Sequence, residues 1–298
     1  VSPPALADFA FMAASSYFGP TESKVMLDRW FGEDKVVDEY EFVSQYRMDT
    51  NTTGGVSYKL YTFPEMPGLG VVSIRGSEAA MDWIVDAQLW STAALVQVVR
   101  AVIPLGWIFT PVLDNLVRVV SLLQNYNLKE VSYYTRTTRF VNDMLSGAYN
   151  GTKLNNIRVT GASLGGGISI ITGAQTGAPT VAISGINAML SRKTFTPELT
   201  ASQLNTRVFN VIPDRDIIAR IDDKGALFQE IQCRAPVNSL MGCHSMWRSL
   251  CEIQYQCGSG GRPIICWCAT KYGYPIPKQS GNQTWKEVCA KDYEGVEP

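Results

Sequence analysis

Apolar and polar positions change rhythm along this chain. From Leu6 to Trp30 the apolar and small residues Phe9, Met12, Ala13 and Tyr17 recur at helical spacing, which predicts a helix. Tyr40 to Met48 and Val56 to Phe63 alternate, and the turn-forming Asn51-Thr52-Thr53-Gly54-Gly55 lies between them, so the pair predicts a β-hairpin. Leu69 to Ile74 reads as a buried strand. Strand and helix then alternate: Asn156 to Thr160, Gly166 to Gln175 as helix, Pro179 to Ser184, and Arg207 to Ile212. That alternation predicts an α/β fold, a mostly parallel sheet with helices on both faces.

The stretch from Gln88 to Leu128 breaks the rhythm. It is rich in Leu, Val, Ile and Trp, but Arg100, Asp114 and Arg118 cut it into apolar pieces shorter than the roughly 20 residues that cross a bilayer. Pro104 and Pro111 interrupt any single helix through it. The composition predicts a surface insertion whose apolar face covers something.

Length and composition bound the class. A chain of 298 residues, 46% hydrophobic and 18% charged, can bury one large core, so residues 1–298 are expected to form a single domain. With 26 basic against 27 acidic residues and no basic run, nothing attracts a polyanion, and nucleic acid is not an expected partner. All seven cysteines lie in 233–298, at Cys233, Cys243, Cys251, Cys257, Cys266, Cys268 and Cys289. With no C-x-x-C pair and a single histidine, they suit disulfides rather than a zinc site, and no metal or cofactor is expected. One cysteine must lack an intrachain partner. The sequons at Asn51, Asn150 and Asn282, and a chain that begins at Val1, agree with a secreted glycoprotein freed of its signal peptide.

The chemistry enters at Gly161-Ala162-Ser163-Leu164-Gly165. It follows the strand Ile157-Arg158-Val159-Thr160 and precedes a helix-compatible segment, the context a G-x-S-x-G nucleophile elbow requires. The sharp turn exposes the serine hydroxyl, and glycines on either side let strand and helix approach. The Leu164 amide, at the helix start, would point toward a developing oxyanion. A phosphate-binding loop needs a lysine that this segment lacks. Ser163 needs an imidazole to take its proton, and His244 is the one histidine in the chain. Pro213-Asp214-Arg215-Asp216 follows a late strand and offers two carboxylates, between which spacing does not choose. The order serine, acid, histidine is that of α/β-hydrolases.

These residues resemble the class 3, fungal-type lipases, a family of α/β-hydrolases. The likeness runs from about Leu69 to His244. Val72-Ser73-Ile74-Arg75-Gly76-Ser77 with Asp82-Trp83 looks like the family's F-R-G-[ST] strand end and downstream D-W pair; Val159 to Gly167 is similar to its V-T-G-H-S-L-G-G elbow; Asp216-Ile217-Ile218-Ala219-Arg220 resembles its D-I-V-P acid loop. The resemblance implies an α/β-hydrolase with Ser163, Asp216 and His244 as its catalytic triad, and Ser77 with Leu164 as its oxyanion hole. It implies that 88–128 is an apolar lid, and that the substrate is an acylglycerol ester met at a lipid–water interface, with transient contact to a membrane or micelle and no obligate protein partner. Phospholipase A1, galactolipase and feruloyl-type esterase activities share the scaffold, and a catalytically silent lipid-binding protein is the reading from another class. Three departures stand out: Ala162 replaces the histidine beside the nucleophile, Ala219 replaces the proline of the acid loop and leaves Asp214 open, and the cysteine-rich region after His244 has no counterpart.

Overall fold

The computed structural model describes residues 3–49, 56–76, 133–148, 153–237, 239, 241–277 and 289. Ser77, Asp82, Trp83, the 88–128 insertion and the three sequon asparagines lie outside the described residues.

A seven-stranded mixed sheet runs in sequence order through β1 (Val37–Asp38), β2 (Tyr58–Thr62), β3 (Leu69–Ile74), β4 (Asn156–Ala162), β5 (Thr180–Ile183), β6 (Val208–Pro213) and β7 (Phe228–Ile231). β1, β2 and β3 pair antiparallel, and β3 to β7 run parallel. Helices cover both faces, which makes the protein α/β. Strand β3 is buried along its whole length, as a strand covered on both sides must be.

Alternate side chains feed two separate cores. On one face Tyr61, Val71, Ile183 and Val211 pack against α1 (Leu6–Ser15), α2 (Pro20–Phe31) and the C-terminal helices. On the other Leu60, Val72, Ile74 and Val159 pack against α3 (Tyr40–Asp49), α4 (Tyr133–Ser146) and α5 (Leu164–Thr176). The period of two along each strand divides the cores this way.

Two expectations need correction. The N-terminal helix is two helices: α1 stops at Ser15, where the Ser15 and Ser16 hydroxyls donate back to the Met12 and Ala13 carbonyls, and α2 begins with Pro20 at its first position. Proline lacks the N–H needed inside a helix but fits its first turn. The 40–48 segment is α3, not a hairpin strand. Val43 and Tyr46 are buried three apart, with Phe42 beside them, so the apolar stripe has the helical period, and a short run of mixed residues satisfies both templates. The antiparallel partners of β2 are β1 and β3.

The cysteine-rich segment folds onto the α1 face. α6 (Ala201–Arg207) precedes β6; after β7 come a single 3₁₀ turn (Gly242–His244), α7 (Met246–Gln256) and α8 (Cys266–Thr270). Disulfides join Cys233 to Cys243, Cys251 to Cys268 and Cys266 to Cys289, leaving Cys257 as an exposed thiol. Trp247 and Trp267 meet edge to face at 4.9 Å. From Ala7 to Ser15 every residue of α1 is buried, and hydroxyls of the sheet hold its carbonyls: Ser73 donates to Met12 O and Thr160 to Phe9 O. Buried Asp8 accepts from Trp30 Nε1 at 2.7 Å and from Arg262 Nε at 2.8 Å, linking the first helix to the C-terminal segment. No helix among the described residues is long and apolar enough to cross a membrane.

Candidate active site

The C-terminal ends of the parallel strands share one edge of the sheet. In open α/β sheets this is the edge where ligands bind. β3 ends there in Arg75-Gly76, β4 in Ser163, and β6 in the turn Pro213-Asp214-Arg215-Asp216, while the chain leaving β7 arrives at His244.

Ser163 stands between β4 and α5 with φ 60° and ψ −129°. A side chain in that conformation costs about 1–3 kcal/mol, which surrounding packing must offset. Three observations show how it is held. The Ser163 amide donates to the Ile183 carbonyl of β5 at 3.1 Å, and the Ser163 carbonyl accepts from the Gly167 amide at 3.1 Å. Gly161 and Gly165 are so close that a Cβ on either would overlap backbone: the Gly165 carbonyl in the first case, the Ile74 carbonyl and Arg75 in the second. The glycines are therefore a consequence of close approach, and the elbow cannot relax without parting β3 from α5.

His244 ends the 3₁₀ turn. Its Nε2 lies 2.7 Å from Ser163 Oγ, and its Nδ1 lies 3.0 Å from each carboxylate oxygen of Asp216. An ionised carboxylate only accepts hydrogen bonds, so Nδ1 donates, which leaves Nε2 as the acceptor for the serine hydroxyl. Asp216 is wholly buried, and its Oδ1 also accepts from the Ile218 amide at 3.0 Å and the Ala219 amide at 3.3 Å. Ala219 thus contributes an N–H that a proline at this position would lack. Asn187 Nδ2 donates to the Ala219 carbonyl at 2.8 Å, tying this loop to the one after β5.

Asp214 faces elsewhere: its side chain is 61% exposed and pairs with Arg220 at 3.7 Å. Of the two carboxylates the structure brings Asp216 to the imidazole. Leu164 is the first residue of α5, where its amide has no carbonyl of a preceding helical turn to bond. Among the described residues no group of His, Cys, Asp or Glu could hold a metal ion.

Some neighbours of the site carry no motif. Arg215, at φ 61°, turns its guanidinium to the loop before His244, and Nη2 donates to the carbonyls of Cys233 at 2.8 Å and Ala235 at 3.0 Å. The Cys233–Cys243 disulfide closes that same loop immediately before His244. Tyr17, in the turn after α1, takes a hydrogen bond from the Gly76 amide. The cysteine content announces a disulfide, but neither its partner choice nor Tyr17 and Arg215 can be found by residue type alone.

No family model matches the chain, and no curated protein matches it. Among solved structures, a crystal structure of a mutant form of MDLA from Penicillium cyclopium superposes on 80% of this chain and 83% of its own, at 14% sequence identity and a TM-score of 0.36. A superposition this loose assigns neither fold family nor activity.

Proposed function

We propose that the protein is a secreted serine-dependent carboxylic ester hydrolase of the α/β-hydrolase type that acts on acylglycerols. The observation that carries this reading is the chain of hydrogen bonds from Ser163 Oγ through His244 to the buried Asp216 carboxylate. A hydroxyl becomes a competent nucleophile when a positioned base takes its proton, and a buried carboxylate stabilises the imidazolium that results.

In this mechanism Ser163 Oγ attacks the ester carbonyl carbon while His244 Nε2 takes its proton. The oxyanion forms against the amides of Leu164 and Ser77. Collapse breaks the bond to the alcohol, which leaves with the proton from His244. Water then attacks the acyl-serine, again giving its proton to His244, and a carboxylic acid is released with Ser163 restored. The apolar insertion at 88–128 acts as the lid, so contact with a lipid–water interface precedes catalysis. Three disulfides support a secretory route, because such bonds persist in oxidising compartments.

The test is Ser163→Ala together with labelling by a fluorophosphonate. Wild-type enzyme should be labelled once and should hydrolyse a short-chain chromogenic ester, and the variant should do neither. Turnover by Ser163→Ala at the wild-type rate would overturn the assignment, and a wild-type serine that resists the probe would indicate a silent lipid-binding protein. A panel of triglyceride, phospholipid, galactolipid and feruloyl esters fixes the head group.

A further inference from the structure

The elbow defines one wall of the site and the end of β3 defines the facing wall. What holds the second wall is Tyr17. The Gly76 amide donates to Tyr17 Oη at 2.9 Å. A Cβ placed on Gly76 would lie 2.5 Å from that same oxygen, 2.8 Å from the Ala162 carbonyl oxygen and 3.2 Å from Ser163 Cβ, so the phenol and the nucleophile both close on one glycine. The Arg75 guanidinium lies over the Tyr17 ring, 5.3 Å from its centroid, so the tyrosine grips both residues that follow β3. Gly165 also abuts Ile74, Arg75 and Gly76. Burial outweighs both the Gly76 bond and Arg75 and pushes the phenol up to about 12, so it stays neutral at any pH where an imidazole base works.

We propose that Tyr17 is a positioning residue for ester hydrolysis: by accepting the Gly76 amide it fixes the end of β3 against Ser163, the edge beside which the substrate carbonyl is received. The inference rests on the hydrolase reading of the same site. It assigns a role to a side chain that lies in no motif and 146 positions before the nucleophile. Without the phenol oxygen the Gly76 amide loses this acceptor, and Gly76 can shift although the Arg75 amide stays bonded to the Ser57 carbonyl at 2.9 Å. Displacements of about 1 Å in a reacting geometry cost up to about 10²-fold in rate.

Tyr17→Phe keeps the ring beneath Arg75 and removes only the oxygen. The measurement is kcat on a soluble p-nitrophenyl ester, normalised to Ser163 titrated with a fluorophosphonate. Expected is a fall in kcat per titrated serine of about 10- to 100-fold with KM nearly unchanged. A purely structural tyrosine would instead lower the melting temperature and the titratable fraction while leaving kcat per titrated serine at the wild-type value, and that outcome overturns the inference. Should Tyr17→Phe yield no folded enzyme, 3-fluorotyrosine at position 17 weakens the oxygen as an acceptor at nearly constant shape. A smaller fall in kcat per titrated serine then supports the inference, and an unchanged value overturns it. Ser163→Ala run alongside separates the two levels: turnover in that control overturns the hydrolase reading itself, whereas an active Ser163 with unaltered kcat in Tyr17→Phe overturns the role of Tyr17 alone.

Discussion

Asp216 meets His244 with both carboxylate oxygens, each 3.0 Å from Nδ1. In Asp216→Asn the amide can present its NH₂ group to Nδ1 and favour the tautomer whose proton sits on Nε2, where it no longer accepts from Ser163. The expected loss in kcat is about 10⁴-fold with the fold intact. Asp214→Asn, which touches only an exposed ion pair, should leave activity within about twofold. Measuring both variants on one ester decides which carboxylate serves the imidazole, and equal losses would contradict the assignment.

His244 is placed by the residue before it. Cys243 is bonded to Cys233, and Arg215 holds two carbonyls of the intervening loop. The double variant Cys233→Ser, Cys243→Ser should lose about 2–4 kcal/mol of stability. At a temperature where it remains folded, kcat should fall by about tenfold or more because the imidazole is no longer fixed against Ser163. Stopped-flow labelling of Ser163 reads the second effect independently of the first.

Gly165 has no room for a methyl group, because the Ile74 carbonyl and Arg75 occupy that space. Gly165→Ala should cost about 3 kcal/mol, near the upper end for overpacking, since rigid backbone lies on both sides. Chemical denaturation measures it. A neutral result would mean that β3 and α5 can separate freely, and the strained Ser163 would then need another explanation.

Asp222 gives the protein a pH dependence unrelated to catalysis. It is buried, and it accepts from the amides of Leu190, Ser191 and Asp223 and from the Ser191 hydroxyl. Burial outweighs these donors and raises its carboxyl to about 6, above the ordinary aspartate value of about 3.9. Because the folded state prefers the protonated form, this stabilising contribution is complete below the ordinary value and is lost as pH rises through about 6. A displacement of about two pH units corresponds to about 3 kcal/mol. Unfolding free energies from pH 4 to 7 should therefore decline more steeply in the wild type than in Asp222→Asn, and parallel curves would rule this out.

Of the five parallel strands, β3 to β6 are legible in the sequence because each is largely apolar with a turn or helix behind it, whereas β7, Phe-Gln-Glu-Ile and exposed along most of its length, is not. Burial on both faces leaves few other ways to write such a strand. The N-terminal region is not legible in this way. Residues 40–48 carry aromatic and β-branched residues that suit a strand, and only the partner surface of α4 and β2 makes the helical stripe the winning choice. At the site, Ser163 and His244 are legible from a motif and from the scarcity of histidine. Spacing does not separate two carboxylates two residues apart; the likeness of the acid loop favours Asp216, and the turn at Arg215 sends Asp214 outward to Arg220 and Asp216 inward. Tyr17 is silent in sequence because its part depends on a backbone amide, which every residue but proline possesses.

Helix α1 has a consequence for how the chain is made. It is almost wholly enclosed, and its enclosure is supplied by β4 and β5 and by α7, while its buried Asp8 waits for Arg262, a partner 254 residues downstream. During vectorial synthesis α1 therefore has α2, whose Trp30 stacks on Phe11, as its early cover, and the rest of its enclosure arrives only when β4, β5 and α7 have followed. Contacts of such long range close slowly, and a partly covered greasy segment is prone to self-association meanwhile. A nascent chain stalled before residue 262 should accordingly be far more protease-sensitive at α1 than the finished protein, and should bind holdase chaperones there.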